Sequence, residues 1–176
     1  MNKIRALPFL SLTLLLPAAA FSQSSATTTL AVSVAAEATL SVSNSSTSLT
    51  TSSIFGNYTG ATNLTWKIRT SAGNGTGSIT AKVTTDFNGI NGPSVANSAV
   101  TGDTLSYTCA ADSPATACSG AQTASTTAAT SVASFGAAAS SKKAGSSATV
   151  NWSLVDDPAY APGSYAATVT FTISAS

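Results

Sequence analysis

The sequence predicts an antiparallel β-sandwich, and three observations carry that prediction. Apolar residues recur at every second position in several separate stretches, which is the period of a half-buried strand. Turn signals such as Gly73-Asn74-Gly75, Asn91-Gly92-Pro93 and Pro162-Gly163 divide those stretches. Only 7% of the residues are charged and just over half are Ser, Thr or Ala, so small side chains must pave the strands around a lean core. Several alternating strands separated by turns, with no sustained helical period, fit two packed antiparallel sheets.

The first 22 residues read as a secretory signal peptide rather than as part of the fold. Lys3 and Arg5 supply a positive start, the run from Leu7 to Leu16 is mostly apolar, and Pro17-Ala18-Ala19-Ala20-Phe21-Ser22 offers small residues for cleavage. That apolar run is too short to span a bilayer, and no Cys follows it to carry a lipid. The expectation is an exported protein, in the periplasm in transit and then extracellular or at the cell surface. No integral membrane segment remains after signal removal. Loss of Lys3 and Arg5 leaves the chain almost neutral, so its low hydrophobicity does not by itself mean disorder.

From Thr28 to Val42 the residues Leu30, Val32, Val34, Ala36, Ala38, Leu40 and Val42 share one face. This alternation is far longer than the usual strand of about 5–6 residues. Two strands in series, serving different sheets, are expected. Residues 23–34 would be an extension and 35–176 a single domain. Leu64, Trp66 and Ile68, then Ile79, Ala81 and Val83, predict a hairpin over 63–85 around Asn74-Gly75. Leu105, Tyr107 and Cys109 predict a further strand. The Ala/Ser/Thr tract 121–148 reads as a loose loop around a short strand from Val132 to Phe135, because its Thr and Ser clusters oppose a helix. Ala148, Val150, Trp152 and Leu154 alternate. So do Tyr165, Ala167, Val169, Phe171, Ile173 and Ala175, which form the closing strand.

Composition sets the function classes. There is no His and the only Glu is Glu37, so a general acid–base constellation is nearly unobtainable. Basic residues are few and scattered, which argues against nucleic acid as a partner. No catalytic, cofactor-binding or metal-ligating set is expected. Asp156-Asp157 before Pro158 and Asp86-Phe87-Asn88-Gly89 read as turns, since neither has the oxygen-ligand spacing of a calcium loop. Cys109 and Cys118 form an even pair in an exported chain and are expected to make a disulfide. Trp66, Trp152 and Tyr165 share the phase of the core positions, leaving Tyr58 and Tyr160 as the candidate exposed aromatics.

Three segments together resemble the spore coat protein U-like domain, a pilin-type subunit of bacterial chaperone–usher systems. They are the alternating stretch Thr29 to Val42, the element Phe55-Gly56-Asn57-Tyr58, and the closing stretch Ala161-Pro162-Gly163-Ser164-Tyr165 through Ile173. The chain departs from the family in having Ala38 where its members usually place a Cys. The resemblance implies an immunoglobulin-like sandwich lacking its last strand. A periplasmic chaperone would cap it, an usher would export it, and the donor strand of another subunit would complete it. Leu30, Val32 and Val34 would fill the pockets. The alternative is a self-contained secreted sandwich that binds glycan or a cell-surface partner, with residues 28–42 in its own sheet.

Overall fold

The computed structural model describes residues 24–87, 91–96 and 104–176. Residues 1–22, which the sequence reads as a signal peptide, lie with Gln23 outside the described residues, as do Asn88 and Gly89. Contacts divide the chain into Met1–Ser33 and Val34–Ser176. Of the first unit, residues 24–33 contain no strand and are exposed.

The second unit is an all-β sandwich. Its strands are β1 (Glu37–Val42), β2 (Tyr58–Arg69), β3 (Gly77–Thr85), β4 (Leu105–Ala111), β5 (Thr116–Ala117), β6 (Gln122–Thr123), β7 (Thr130–Phe135), β8 (Ser146–Leu154) and β9 (Thr168–Ala175). One sheet has the order β1-β2-β8-β4-β6 and the other β5-β7-β3-β9. Every pairing is antiparallel. After β2, each successive strand lies in the opposite sheet to the one before it.

Period-2 alternation places the core between the sheets. Leu64, Trp66 and Ile68 of β2 and Ala148, Val150, Trp152 and Leu154 of β8 are buried on one side. Ile79, Ala81 and Val83 of β3 and Val132, Ala133 and Phe135 of β7 are buried on the other. Trp66 meets Phe135 edge-on with centroids 4.9 Å apart, and Tyr107 lies 5.0 Å from Trp152. These aromatic contacts supply volume that the many Ala residues cannot. Their polar atoms are mostly satisfied. Trp152 Nε1 donates to Thr62 Oγ1 at 2.9 Å, and the Tyr107 hydroxyl sits 2.9 Å from the Ser131 carbonyl.

Two sequence expectations need correction. Residues 63–85 do not form a hairpin, because β2 is already paired on both edges, by β1 and β8. The Asn74-Gly75 turn instead carries the chain across to the other sheet, where β3 pairs with β7 and β9. The alternation from Thr28 to Val42 yields one strand, not two. Glu37 pairs with Arg69 at the end of β2, and the next residue, Thr70, turns its amide to the Ala139 carbonyl. Beyond Arg69, β2 offers no partner backbone to the residues before Glu37.

Trp66 Nε1 and Ser146 Oγ are buried without a hydrogen-bond partner among the described residues. A buried hydroxyl without a partner costs its desolvation, so Ser146→Ala should raise stability by about 1 kcal/mol. Denaturant unfolding of the two proteins checks this, and a loss of stability in the variant would contradict it.

Candidate functional site

The two flanks of the sandwich are built differently. On one flank the disulfide Cys109–Cys118 joins β4 to the residue that follows β5, with Cα atoms 5.5 Å apart. Cys118 also donates its amide to the Val132 carbonyl of β7 at 2.9 Å, so this flank is closed by a covalent link and a backbone bond. The expected disulfide is therefore present, and it ties one sheet to the other.

On the opposite flank the edge strands β1 and β9 face each other with no such closure. Each inward residue of β8 is buried, whereas Val169, Phe171, Ile173 and Ala175 of β9 are only half-buried. Ala38 and Leu40 of β1 are likewise half-buried, and Val42 is exposed. The inner faces of the two edge strands are thus only partly covered. Along its other side β9 pairs with no strand among the described residues, which leaves a row of backbone donors and acceptors unused by them.

A groove of about 1040 Å³ opens on this flank, bounded by Val42, Leu49, Phe55, Tyr58, Val169 and Phe171. Trp152 lies beneath it, with its ring 6.4 Å from that of Phe171. Tyr58 and Tyr160 both line this groove and are half-buried, so neither is the exposed aromatic that the sequence suggested. Tyr58 opens β2 and packs against the core. The aromatic that stands out into solvent is Phe55. A second, shallow depression of about 420 Å³ lies on the outer face of the first sheet among Thr59, Ser106, Thr108 and Asn151, and has no charged residue in its lining.

Two loops wall the end of the groove next to Thr168. Asp86 follows β3 and organises the first. Its Oδ1 accepts from the amides of Phe87 (2.9 Å) and Val95 (2.8 Å), and its Oδ2 from the Ala96 amide (2.9 Å) and the Ser94 hydroxyl (2.8 Å). These bonds hold Phe87 and Pro93 on the groove wall. The sequence reading of Asp86 as a plain turn residue missed this role, because three of its four donors lie eight to ten positions away. Tyr165 anchors the second loop. Its hydroxyl donates to the Ala161 carbonyl at 2.6 Å, and its ring fills the space that a Cβ at Gly92 would need. Asp157 caps the turn at Pro158, accepting the Ala159 amide at 2.8 Å, as its turn chemistry predicts.

The candidate donor residues belong to no strand. Leu30 and Val32 are 92% and 87% exposed in the first unit, and Val34 is 58% exposed at the start of the second. At the opposite end of β2 from the groove, Arg69 Nε donates to the Ala35 carbonyl at 3.0 Å and its guanidinium pairs with Glu37 at 2.8 Å. This pair is exposed and contributes at most about 1 kcal/mol. It does fix where the backbone enters β1.

The described residues contain no group of three or more His, Cys, Asp or Glu placed to hold a metal ion, and no helix long and apolar enough to cross a membrane. No family model, curated protein or solved structure matches the chain.

The Asp86 bonds set a pH dependence. Burial alone would raise its carboxyl above the ordinary 3.8, but the amides of Ala96, Val95 and Phe87 and the Ser94 hydroxyl outweigh burial and lower it. A lowered folded value means the stabilisation is complete above the unfolded value and is lost as the pH falls through the folded one. Asp86→Asn should therefore be less stable than the parent at pH 7, with the gap closing as the pH is lowered below 3.8. Urea unfolding of both proteins from pH 7 to pH 2 checks this. A gap that stays constant across that range would contradict it.

Proposed function

We propose that the protein is a structural subunit of an exported surface fibre or pilus whose copies are joined by donor-strand exchange. In this reading the segment 23–34 of one copy lies along β9 of another. The observation that carries the reading is the flank between β1 and β9, where an apolar strand has an unpaired edge and a half-uncovered inner face. The same chain carries an alternating apolar segment, Leu30, Val32 and Val34, that is exposed and belongs to no strand. Strand addition would satisfy both at once. Backbone bonds to the β9 edge would supply affinity, and alternate side chains would enter the groove.

The magnitudes are adequate. Burying an aliphatic side chain contributes about 1.5–3 kcal/mol, and each net backbone hydrogen bond about 0.5–1.5 kcal/mol. Three buried side chains with several backbone bonds make a durable joint, even after the cost of ordering the segment. Before a donor arrives, the flank would need temporary cover, which is the task a periplasmic chaperone and an usher would perform. Export agrees with the leader-like start of the sequence and with the disulfide.

The mature protein, a Val32→Asp variant and a form truncated before Ala35 test the reading, compared by light scattering over a range of concentrations. The mature protein should assemble as concentration rises. Val32→Asp would place an unpaired carboxylate in each joint, so it should stay monomeric with an unchanged circular dichroism spectrum. A mature protein that stays monomeric, with a truncation that unfolds it, would show that the segment completes its own domain. The self-contained binding module would then replace the fibre subunit.

A further inference from the structure

We infer that the turn Ile54-Phe55 is a second contact between copies of this chain, seated on the surface formed by Ala72-Gly73 and Gly136-Ala137-Ala138 of the next copy. The inference rests on the donor-strand reading above and adds to it a joint between the bodies of the domains.

Ile54 is 90% exposed and Phe55 65% exposed, adjacent to each other in an otherwise polar turn. Phe55 holds φ at 54°, a left-handed conformation that is costly for a bulky side chain. The turn around it is fixed. The Gly56 amide donates to the Ser53 carbonyl at 3.1 Å, and the Thr51 hydroxyl donates to the same oxygen at 2.9 Å. A Cβ at Gly56 would overlap the Ser53 hydroxyl, so a larger residue after Phe55 would have to turn that side chain aside. The chain thus presents a rigid apolar knob to water, and rigid aromatic anchors of this kind are typical centres of protein interfaces.

The position of the knob selects its partner. Phe55 lines the groove together with Val42, Tyr165 and Val169, so it stands at the end of β9 that begins at Thr168. The backbone enters β1 at the other end, because Glu37 pairs with Arg69, the last residue of β2. A donor running antiparallel to β9 brings its Val34 out beside Phe55. Glu37 of the incoming copy then follows within three residues, a span of at most about 11 Å. That short tether holds the Glu37 end of the second body against the Phe55 end of the first.

The surface at the Glu37 end suits a knob. Ala72, Gly73, Gly136, Ala137 and Ala138 are all exposed, and a Cβ at Gly73 or Gly136 would meet nothing within 4 Å. The two loops are joined, since the Ala138 amide donates to the Ser71 carbonyl at 3.0 Å and the Thr70 hydroxyl to the Gly136 carbonyl at 2.7 Å. The result is a small-residue floor with no charged side chain of its own. Large apolar residues at one end of the body and a smooth apolar floor at the other make a heterologous contact. Such contacts propagate into open chains rather than closing. A donor running parallel to β9 would instead bring two Glu37 ends together, and Phe55 would face solvent.

Photo-crosslinking of the mature protein tests this. A benzophenone amino acid replaces Phe55, and in a second protein Ile54, in equal mixtures of isotopically light and heavy chains. After assembly and illumination, peptides are mapped by mass spectrometry. Light-to-heavy crosslinks should join position 54 or 55 to residues 71–74 or 136–138. Assemblies whose crosslinks stay within one chain, or join one knob to another, overturn this contact and leave strand donation standing. A protein that does not assemble overturns both.

Discussion

An apolar strand cannot leave its inner face half-covered and its hydrogen-bonding edge unpaired without consequence, and among the described residues β9 does both. The arrangement of the domain follows from how that strand is held. It is paired along one side only, to β3, through the register from Gly77↔Ala175 to Thr85↔Thr168. Its inner residues pack against the core and reach Trp152 through Phe171, but stay only half-buried. A closed sandwich would cover those residues with a further strand. Here the sheet orders leave β1 and β9 as neighbouring edges.

The rest of the domain makes such an opening tolerable. The disulfide closes the other flank covalently, so the sheets stay together although one side lacks cover. The ring pairs Trp66 on Phe135 and Tyr107 on Trp152 join interior strands, away from the β1 and β9 edges. Asp86 and Tyr165 then hold two irregular loops at the groove end, using side-chain hydrogen bonds where strand pairing has stopped. Rigid walls matter for strand addition, because an edge that must first be ordered loses affinity to that ordering.

The strands and the core were legible in the sequence because their signal is local. Leu64-Trp66-Ile68, Ile79-Ala81-Val83 and Val150-Trp152-Leu154 alternate without interruption, and all nine are buried. The disulfide was legible from an even pair of cysteines in a chain read as exported. What stayed hidden depends on which strand pairs with which. Asn74-Gly75 has the chemistry of a hairpin turn, yet β2 is occupied on both edges and the turn crosses between sheets. The alternation before Glu37 resembles a strand equally well with or without a partner, since periodicity reports the side chains and not the pairing. The groove was invisible for the same reason. Its walls come from Val42, Phe55, Phe87 and Val169, brought together only by topology. The Phe55 element stood out as a motif, while its left-handed backbone and exposure appear only in the fold.

The central claim is that the free edge of β9 is where one copy of the chain receives another. Amide hydrogen exchange along Thr168–Ala175 measures this directly, in dilute monomer and in concentrated, assembled protein. The edge-facing amides of β9 should exchange quickly in the monomer and become protected on assembly, while those bonded to β3 are protected in both. Unchanged exchange along β9, in a sample shown by scattering to have assembled, would place the joint elsewhere and contradict the account.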